Sequence, residues 1–243
     1  MQQRLHNSDT SERLTGVNDG HAAVTDIGSR RGDDGTQVIR TPTRYERRYK
    51  RTFDVVVGST AAVASAPLAA LIAVAVRIGL GKPVLYQQER IGKDGEIFTI
   101  YKFRSMRPDR RNRVAELPVG EDRRTGHKKS NDPRHTGLGR KLRSLSLDEL
   151  PQLINVLRGE MSLVGPRPEI PESAVAGNYA DHIRHDVKPG MTGPYQVSSL
   201  RLRGDLRDGL HLDADYVFNM SFRRDVRYVF ATIKLLLSRP TGS

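Results

Sequence analysis

The hydrophobic pattern is dominated by an uncharged run of 22 residues, VVVGSTAAVASAPLAALIAVAV, at positions 55–76. A helix of that length is about 33 Å long, which is just sufficient to cross a bilayer. A buried core helix is the alternative, although most core helices keep a polar stripe. Pro67, two residues after Ser65, removes one helical hydrogen bond and favours a kink. The run therefore predicts a membrane helix with a break at Ser65 and Pro67.

Basic residues on both sides of the run distinguish between two membrane arrangements. The flanking residues are Arg44, Arg47, Arg48, Lys50 and Arg51 before it, and Arg77, Lys82, Arg90 and Lys93 after it. A spanning helix would carry one of these clusters across the membrane, against the tendency of basic residues to stay on the cytoplasmic side. A bent helix that enters and leaves on that side avoids this, and Ser65 can satisfy a backbone group that Pro67 leaves unpaired. We therefore favour a re-entrant membrane helix within residues 44–80 over a full span.

The remaining apolar segments are short. Two β-prone runs, VLYQQERI and IFTIYKFRSM, are separated by the turn-rich GKDGE and predict a small hairpin. Apolar residues at helical spacing predict amphipathic helices near residues 138–145, 150–161 and 222–237. The last of these can pack on a core or lie among lipid headgroups, and we favour the core. The pattern as a whole predicts an α+β, mainly helical monotopic membrane protein with interfacial amphipathic helices.

Polar segments divide the chain further. Residues 1–43 show no sustained apolar period and are rich in Gly, Asp, Ser, Thr and Arg, which predicts a disordered tail. They lack the uncharged apolar run of a signal peptide. Residues 107–133 are polar and predict a mobile loop. The expected organisation is a tail at 1–43, the membrane helix at 44–80, a cytoplasmic-face catalytic domain at 81–238 and a short tail at 239–243.

Composition narrows the class of partner. The chain of 243 residues has a formal net charge of +12, of which the first 43 residues contribute −1 and the remaining 200 contribute +13. Such a surface favours nucleic acid, phosphorylated small molecules or an acidic membrane. Aromatic residues make up only 6% and Trp is absent, which counts against a base-stacking surface, so we expect no nucleic-acid partner. The absence of Cys excludes disulfides and thiolate metal sites.

An adjacent acidic pair, Asp148 and Glu149, lies within the segment SLSLDELPQLINVLRGEMSLVGPRPE at 144–169. One interpretation is a capping box, with Ser146 as the N-cap and Glu149 reaching back from the first turn. It does not explain the basic residues around the pair, Arg143 and Arg167, whose planar donors suit phosphate oxygens. We expect these arginines and a helix N-terminus to keep the carboxylate ionised, so that it can ligate Mg²⁺ or act as a nucleophile. This combination favours phosphoryl transfer.

Several motifs occur together in one order: KRTFDVVV, PVLYQQERIG, IYKFRSM, LGRKLRSLSLDELPQLINVLRGEMSLVGPRPE, KPGMTG and LDADYV. In this they resemble the bacterial sugar transferase family, the small monotopic phosphoglycosyl transferases that prime surface-polysaccharide and glycan assembly. The resemblance covers residues 48–238. It implies transfer of a sugar-1-phosphate from a UDP-sugar to a polyprenyl phosphate, such as undecaprenyl phosphate, at the cytoplasmic face of the inner membrane and among its lipids.

The resemblance also implies roles for individual residues. Asp148 matches the family's nucleophile, which carries a covalent phosphosugar and binds Mg²⁺, and Glu149 matches the acid that assists metal binding or proton removal. Arg143 and Arg167 match phosphate-binding positions, with Lys102 and Arg104 as further candidates. The family's broken membrane helix matches Ser65 and Pro67, here separated by Ala66.

The chain departs from the family after KPGMTG. Most members continue with a Gln-Val-Asn-Gly-Arg-like turn and a Trp, whereas this chain has PYQVSSLRLRGDLRDGLHLDADY. That stretch can shape the nucleotide or sugar pocket, so the resemblance does not identify the sugar. The competing hypothesis is a non-catalytic basic membrane-surface protein that binds anionic lipid or nucleic acid.

Overall fold

The computed structural model describes residues 40–107, 136–202 and 206–238. In chain order its elements are α1 (Arg44–Arg48), α2 (Lys50–Gly79), β1 (Leu85–Ile91), β2 (Ile97–Phe103), α3 (Gly137–Ser144), α4 (Gln152–Arg158), β3 (Ser162–Val164), α5 (Pro171–Ala176), β4 (Gly190–Thr192), α6 (Pro194–Val197), α7 (Leu210–Phe218) and α8 (Phe222–Leu237). The predicted mainly helical fold with a small antiparallel hairpin is confirmed. The predicted tails and the predicted loop at 107–133 lie almost entirely outside the described residues.

Helix α2 runs without interruption through Ser65 and Pro67, the residues of the predicted break, and the re-entrant path through a membrane stays a prediction. Pro67 lies inside the helix, because a proline removes only the hydrogen bond to the carbonyl four residues earlier and the neighbouring turns keep their own. That carbonyl belongs to Val63, whereas the Ser65 hydroxyl donates to the carbonyl of Ala62 at 3.4 Å. Ser65 therefore does not replace the missing bond. Within the described chain, the segment Lys50–Leu80 is long and apolar enough to cross a membrane, judged by length and composition alone.

Both ends of α2 pack against the body of the protein. Near its start, Asp54 and Gly58 are buried, and near its end Ile72 and Val76 are buried. The opposite face is apolar and exposed, with the side chains Val56, Val63, Leu71, Val74 and Ile78 between 56% and 80% exposed. The helix thus presents one face to the protein along its length and leaves an apolar face uncovered.

A buried ionic cluster ties the start of α2 to two distant elements. Lys50 Nζ lies 2.6 Å from Asp225 Oδ2 of α8 and 3.3 Å from Asp54 Oδ1. Asp54 Oδ1 also accepts hydrogen bonds from Ser162 Oγ at 2.9 Å and from the Leu163 amide at 3.0 Å, both in β3. Because each charge has an opposite charge or a donor beside it, burial of the cluster is compatible with a stable fold.

Arg40, which the sequence places in the N-terminal tail, is already part of the packed structure. Its guanidinium donates to both carboxylate oxygens of Glu46, at 2.6 and 2.7 Å, and to the Val217 carbonyl at 3.1 Å. Its side chain is only 5% exposed. The packed part of the chain therefore starts before residue 44.

Two small sheets, the hairpin and a second pair of strands, make up the β-structure of the described residues. Strands β1 and β2 are antiparallel, with Leu85 opposite Phe103 and Ile91 opposite Ile97. Strands β3 and β4 are parallel and only three residues long, too short for a period-two pattern to predict them. A Cβ on Gly190 would collide with the backbone of Gly165. These glycines therefore let the loops after β3 and before β4 cross in backbone contact.

Helix α8 does not bury its apolar stripe as we expected. Tyr228 and Val229 pack against the core and Asp225 is buried. By contrast, Phe222, Phe230, Ile233 and Leu237 are between 47% and 81% exposed. Phe222 also contacts the rings of Tyr45 and Phe53 near the start of α2, at centroid distances of 6.2 and 5.8 Å. The first turn of α8 therefore lies beside the start of α2.

Candidate active site

The acidic pair lies in a single 3₁₀ turn, Leu147–Glu149, which precedes α4. Ser146 before it has a φ of 56°, in the left-handed region, and its side chain makes no capping hydrogen bond to the turn. The Glu149 carboxylate points instead to Lys102 on β2. The capping-box interpretation is therefore wrong, because the left-handed residue reverses the chain direction and α4 begins only at Gln152.

Asp148 is buried, with 8% of its surface exposed. Burial raises the pKa of its carboxyl group above the usual value, and the negative charge of Glu149 raises it further. Lys102, a backbone hydrogen bond and Arg143 act in the opposite direction without outweighing these effects. We expected the surrounding arginines to lower the pKa of Asp148, but burial and Glu149 outweigh them and the pKa is raised. A carboxylate with a raised pKa is a more basic group and, once ionised, a better nucleophile.

Glu149 has a different environment from its neighbour. Its Oε1 lies 2.7 Å from Lys102 Nζ, in an ion pair whose side chains are only partly exposed. Burial opposes ionisation of Glu149, but the positive charges of Lys102 and Arg167, the Lys102 hydrogen bond and Arg90 outweigh it and lower its pKa. The two carboxyl groups are thus unequal. Divergent pKa values in adjacent acids are typical of a site in which the two have separate tasks.

A narrow cleft opens beside the acidic pair. It is lined by Arg90, Ile100, Lys102, Glu149, Gln152, Arg167, Pro168, Gly190 and Met191. Three of these residues carry a positive charge and one a negative charge. Asp148 itself is not among the lining residues, but it precedes Glu149 in the same turn. The cleft is therefore a cationic pocket next to a buried carboxylate, which suits a phosphate-bearing ligand.

Arg167 reaches the cleft from a segment, Gly165–Glu169, that contains two prolines. Prolines lack an amide N–H, so the segment is held mostly through its carbonyl oxygens, and the Gly165 amide donates to the Thr192 carbonyl at 2.9 Å. Four consecutive carbonyls accept hydrogen bonds from three other parts of the chain: Pro166 from the Gly190 amide at 2.8 Å, Arg167 from Arg184 Nη2 at 2.7 Å, Pro168 from Arg90 Nη1 at 3.2 Å, and Glu169 from the Ile91 amide at 2.9 Å. This bracing limits the freedom of the backbone that carries the Arg167 guanidinium.

The predicted phosphate-binding residues fall into two groups. Lys102 and Arg167 line the cleft, and Arg143 lies near enough to Asp148 to affect its pKa. Arg104 is used elsewhere: its guanidinium donates to the carbonyls of Leu80, of Gly81 at 2.7 Å and of Lys82 at 2.9 Å. These carbonyls follow the end of α2, where the helix leaves acceptors without partners. Arg104 therefore stabilises that turn and does not line the cleft.

Two cleft residues, Arg90 and Gln152, were missed as site residues in the sequence. The hairpin register contains a signal for Arg90, because it lies opposite Phe98 and so shares a face with Ile100 and Lys102. Gln152 is the first residue of α4, shortly after the 3₁₀ turn that carries the acidic pair. It was passed over because it sits inside an apolar-periodic helix.

The acidic pair also has the oxygen ligands that Mg²⁺ prefers. Among the described residues, no group of three or more acidic or histidine side chains forms a cage for a metal. Mg²⁺ usually takes only one or two protein carboxylates and completes its coordination with phosphate oxygens and water. The carboxylate of Asp148, whose charge is incompletely balanced by its neighbours, fits that mode of binding, since Glu149 is already paired with Lys102.

Comparisons with known proteins place this chain in a family. Residues 45–239 match the family described as bacterial sugar transferase. The undecaprenyl-phosphate glucose phosphotransferase of Komagataeibacter xylinus is 39% identical over 210 residues, covering 82% of this chain and 38% of that protein. The exopolysaccharide production protein ExoY of Sinorhizobium fredii is 39% identical over 191 residues, covering 76% and 83%.

A third relative is the UDP-glucose:undecaprenyl-phosphate glucose-1-phosphate transferase of Escherichia coli, which is 37% identical over 198 residues, covering 77% of this chain and 40% of that protein. This chain therefore spans about two fifths of the length of the two transferases and most of ExoY. Since the family match extends over most of the sequence, the chain belongs to the bacterial sugar transferase family.

Proposed function

We propose that this chain transfers a sugar-1-phosphate from a UDP-sugar to a polyprenyl phosphate through an ester on Asp148. The observation that carries the proposal is the buried Asp148 carboxylate next to a cleft with three cationic residues. Both substrates are phosphates, which such a cleft can hold. The name of the Escherichia coli relative gives a UDP-sugar as donor and undecaprenyl phosphate as acceptor. Because this chain belongs to the same family, we propose the same class of donor and acceptor for it.

The reaction divides into two displacements at one phosphorus atom. An Asp148 carboxylate oxygen attacks the β-phosphorus of the donor, and the bond from that phosphorus to the bridging oxygen breaks. UMP leaves with the electron pair. A phosphate oxygen of the polyprenyl phosphate then attacks the same phosphorus and releases the Asp148 carboxylate, so no net proton is produced. Lys102 and Arg167 neutralise charge on the phosphate oxygens in both steps.

Glu149 has a supporting part in this scheme. Its lowered pKa makes it a weak base, and a phosphate acceptor already ionised near neutral pH needs little help in losing a proton. Its ion pair with Lys102 holds the ammonium group at the cleft. We therefore assign Glu149 to orientation of Lys102. Asp148 would hold Mg²⁺ together with the donor phosphates, and the ion would supply further charge neutralisation of the diphosphate.

Placement at a membrane surface follows from the two uncovered apolar faces. Phe222 of α8 contacts Phe53 at the start of α2, and Arg223, Arg227 and Lys234 on α8 suit anionic headgroups. Both ends of α2 pack on the same charged body, which argues against a span with its ends on opposite sides. We propose attachment to the cytoplasmic face of the inner membrane. Failure of the protein to float with anionic vesicles would contradict this.

The transfer is tested by UMP release from a panel of UDP-sugars, with the protein in vesicles and Mg²⁺ present. We expect one UDP-sugar to give a stoichiometric burst of UMP without acceptor, because the first displacement does not need it. Added polyprenyl phosphate should convert the burst to continuous turnover. EDTA should abolish both phases. Absence of UMP with every donor, combined with salt-sensitive binding to anionic lipid or nucleic acid, would favour the non-catalytic alternative.

Lys102 near the end of β2 and Arg104 just after that strand offer a separate prediction. Arg104→Leu should lower the free energy of unfolding by about 1–3 kcal/mol, since the carbonyls after α2 lose their donors. Lys102→Met should have a smaller effect on stability because its ion pair is partly exposed, but it should raise KM for the UDP-sugar more than Arg104→Leu does. Thermal unfolding and steady-state kinetics measure the two effects. An equal rise in KM for both variants would show that Arg104 also contributes to binding of the UDP-sugar.

A further inference from the structure

Gln152 is a buried polar residue that the scheme above does not use. Only 2% of its surface is exposed, and its side-chain Nε2 has no hydrogen-bond partner among the described residues. Native proteins rarely leave a buried amide donor unpaired, because burial without a partner is costly. The same side chain lines the cationic cleft. An unpaired donor at a cleft wall is expected where a ligand supplies the acceptor.

A second amide on the same helix shows that the local fold can satisfy such groups. Asn155 is fully buried, and its Nδ2 donates to the Thr99 carbonyl and to Glu160 Oε2, each at 2.7 Å. Its Oδ1 accepts the Tyr101 amide at 3.2 Å. Asn155 therefore fixes α4 to β2. Gln152 Nε2, three residues earlier, has no such partner among the described residues.

The surroundings of Gln152 indicate the chemistry of the missing acceptor. Lys102 is paired with Glu149, and Arg90 is engaged by the Pro168 carbonyl and by Gln88 Oε1 at 2.6 Å. The summed positive charge of the cleft favours an anionic oxygen. A neutral amide can donate a hydrogen bond to that oxygen, and its burial does not carry the desolvation cost of a further charged group.

We propose that Gln152 is a substrate-binding residue whose Nε2 donates a hydrogen bond to a phosphate oxygen of the sugar-nucleotide diphosphate. The proposal rests on the proposed function, since it takes the cleft as the diphosphate site. Gln152 begins α4 shortly after the turn that carries Asp148 and Glu149, and it lines the same cleft as Glu149. It adds an uncharged contact to those of Lys102 and Arg167.

The test compares Gln152→Met and Gln152→Glu with Asn155→Leu in the full chain. Without ligand, Gln152→Met should unfold at the same temperature as the wild type or higher, because a buried unpaired donor is removed. Asn155→Leu should unfold several degrees lower, because paired groups lose their partner. Inorganic pyrophosphate should bind Gln152→Met about 10- to 100-fold more weakly than the wild type, and Gln152→Glu more weakly still because of charge repulsion.

The same variants are assayed for UMP release, where kcat/KM of Gln152→Met should fall by a similar factor. Unchanged pyrophosphate affinity in Gln152→Met overturns the proposal, and so does a loss of thermal stability equal to that of Asn155→Leu, which would make Gln152 structural. If pyrophosphate binding depends on Gln152 but the wild type releases no UMP from any UDP-sugar, the anion contact stands and the proposed transfer fails.

Discussion

Asp148→Asn should reduce UMP release from the active UDP-sugar by at least about 1,000-fold, the scale of loss when a covalent nucleophile is removed. The carboxamide has nearly the same shape as the carboxylate but cannot form the ester with phosphorus. The burst without acceptor should disappear together with turnover. Mass spectrometry of the wild type, quenched before acceptor is added, should find a sugar-phosphate on the peptide that contains Asp148 and none in the variant.

Stability separates loss of chemistry from loss of fold in this variant. For an acid whose pKa is raised by folding, the free energy of unfolding falls as pH rises through the interval between the unfolded and folded pKa values. Burial and Glu149 raise the pKa of Asp148, so its ionised form destabilises the native state. In EDTA, Asp148→Asn should therefore unfold at a higher temperature than the wild type at pH 7.5, and the difference should shrink at acidic pH. An active Asp148→Asn variant would contradict the assignment of Asp148 as the nucleophile. A variant that unfolds at a lower temperature than the wild type at pH 7.5 would contradict the raised pKa of Asp148.

Glu149→Gln provides the comparison for the neighbouring acid. If Glu149 orients Lys102, the variant should retain the burst at a reduced rate and should resemble Lys102→Met more than Asp148→Asn.

The sequence was informative about the site where its residues are close along the chain. Asp148 and Glu149 stood out as charges within an apolar-periodic segment, and Arg167 as a donor within a proline-rich one. The sequence was less informative about Arg104, because the same residue type serves a phosphate or the carbonyls at the end of a helix equally well. Only the meeting of β2 with the end of α2 decides between them. Gln152 escaped notice for a similar reason, since an unpaired donor is a property of three-dimensional packing.

The long apolar helix shows a different limit of sequence interpretation. A central proline indicates that one hydrogen bond is missing, but the surrounding turns of α2 remain helical through it. The argument from flanking charge does not depend on a break. It concerns which side of the membrane each end occupies, and the packing of both ends on one body supports the same conclusion. Short strands β3 and β4 were beyond any periodicity argument, although the glycines at their crossing were visible in the motifs.

A fully buried ion pair behind the cleft has the second large expected effect. Arg184 and Asp213 both have side chains that are 0% exposed, with Nη2 and Oδ2 separated by 2.9 Å. The same Nη2 donates to the Arg167 carbonyl at 2.7 Å. Arg184 therefore acts on the cleft through the backbone of another residue, which makes it a positioning residue for Arg167.

Asp213→Asn should lower the free energy of unfolding by about 3–5 kcal/mol, because it leaves the buried guanidinium without its charge partner. The double variant Arg184→Met, Asp213→Leu should recover most of this loss, since apolar replacement of a buried pair is often neutral or stabilising. It cannot restore the hydrogen bond to the Arg167 carbonyl. KM for the UDP-sugar should therefore stay raised in the double variant although thermal unfolding is close to that of the wild type. Apolar packing cannot replace the hydrogen bond that positions Arg167. Recovery of both stability and KM in the double variant would therefore show that the ion pair contributes to folding alone.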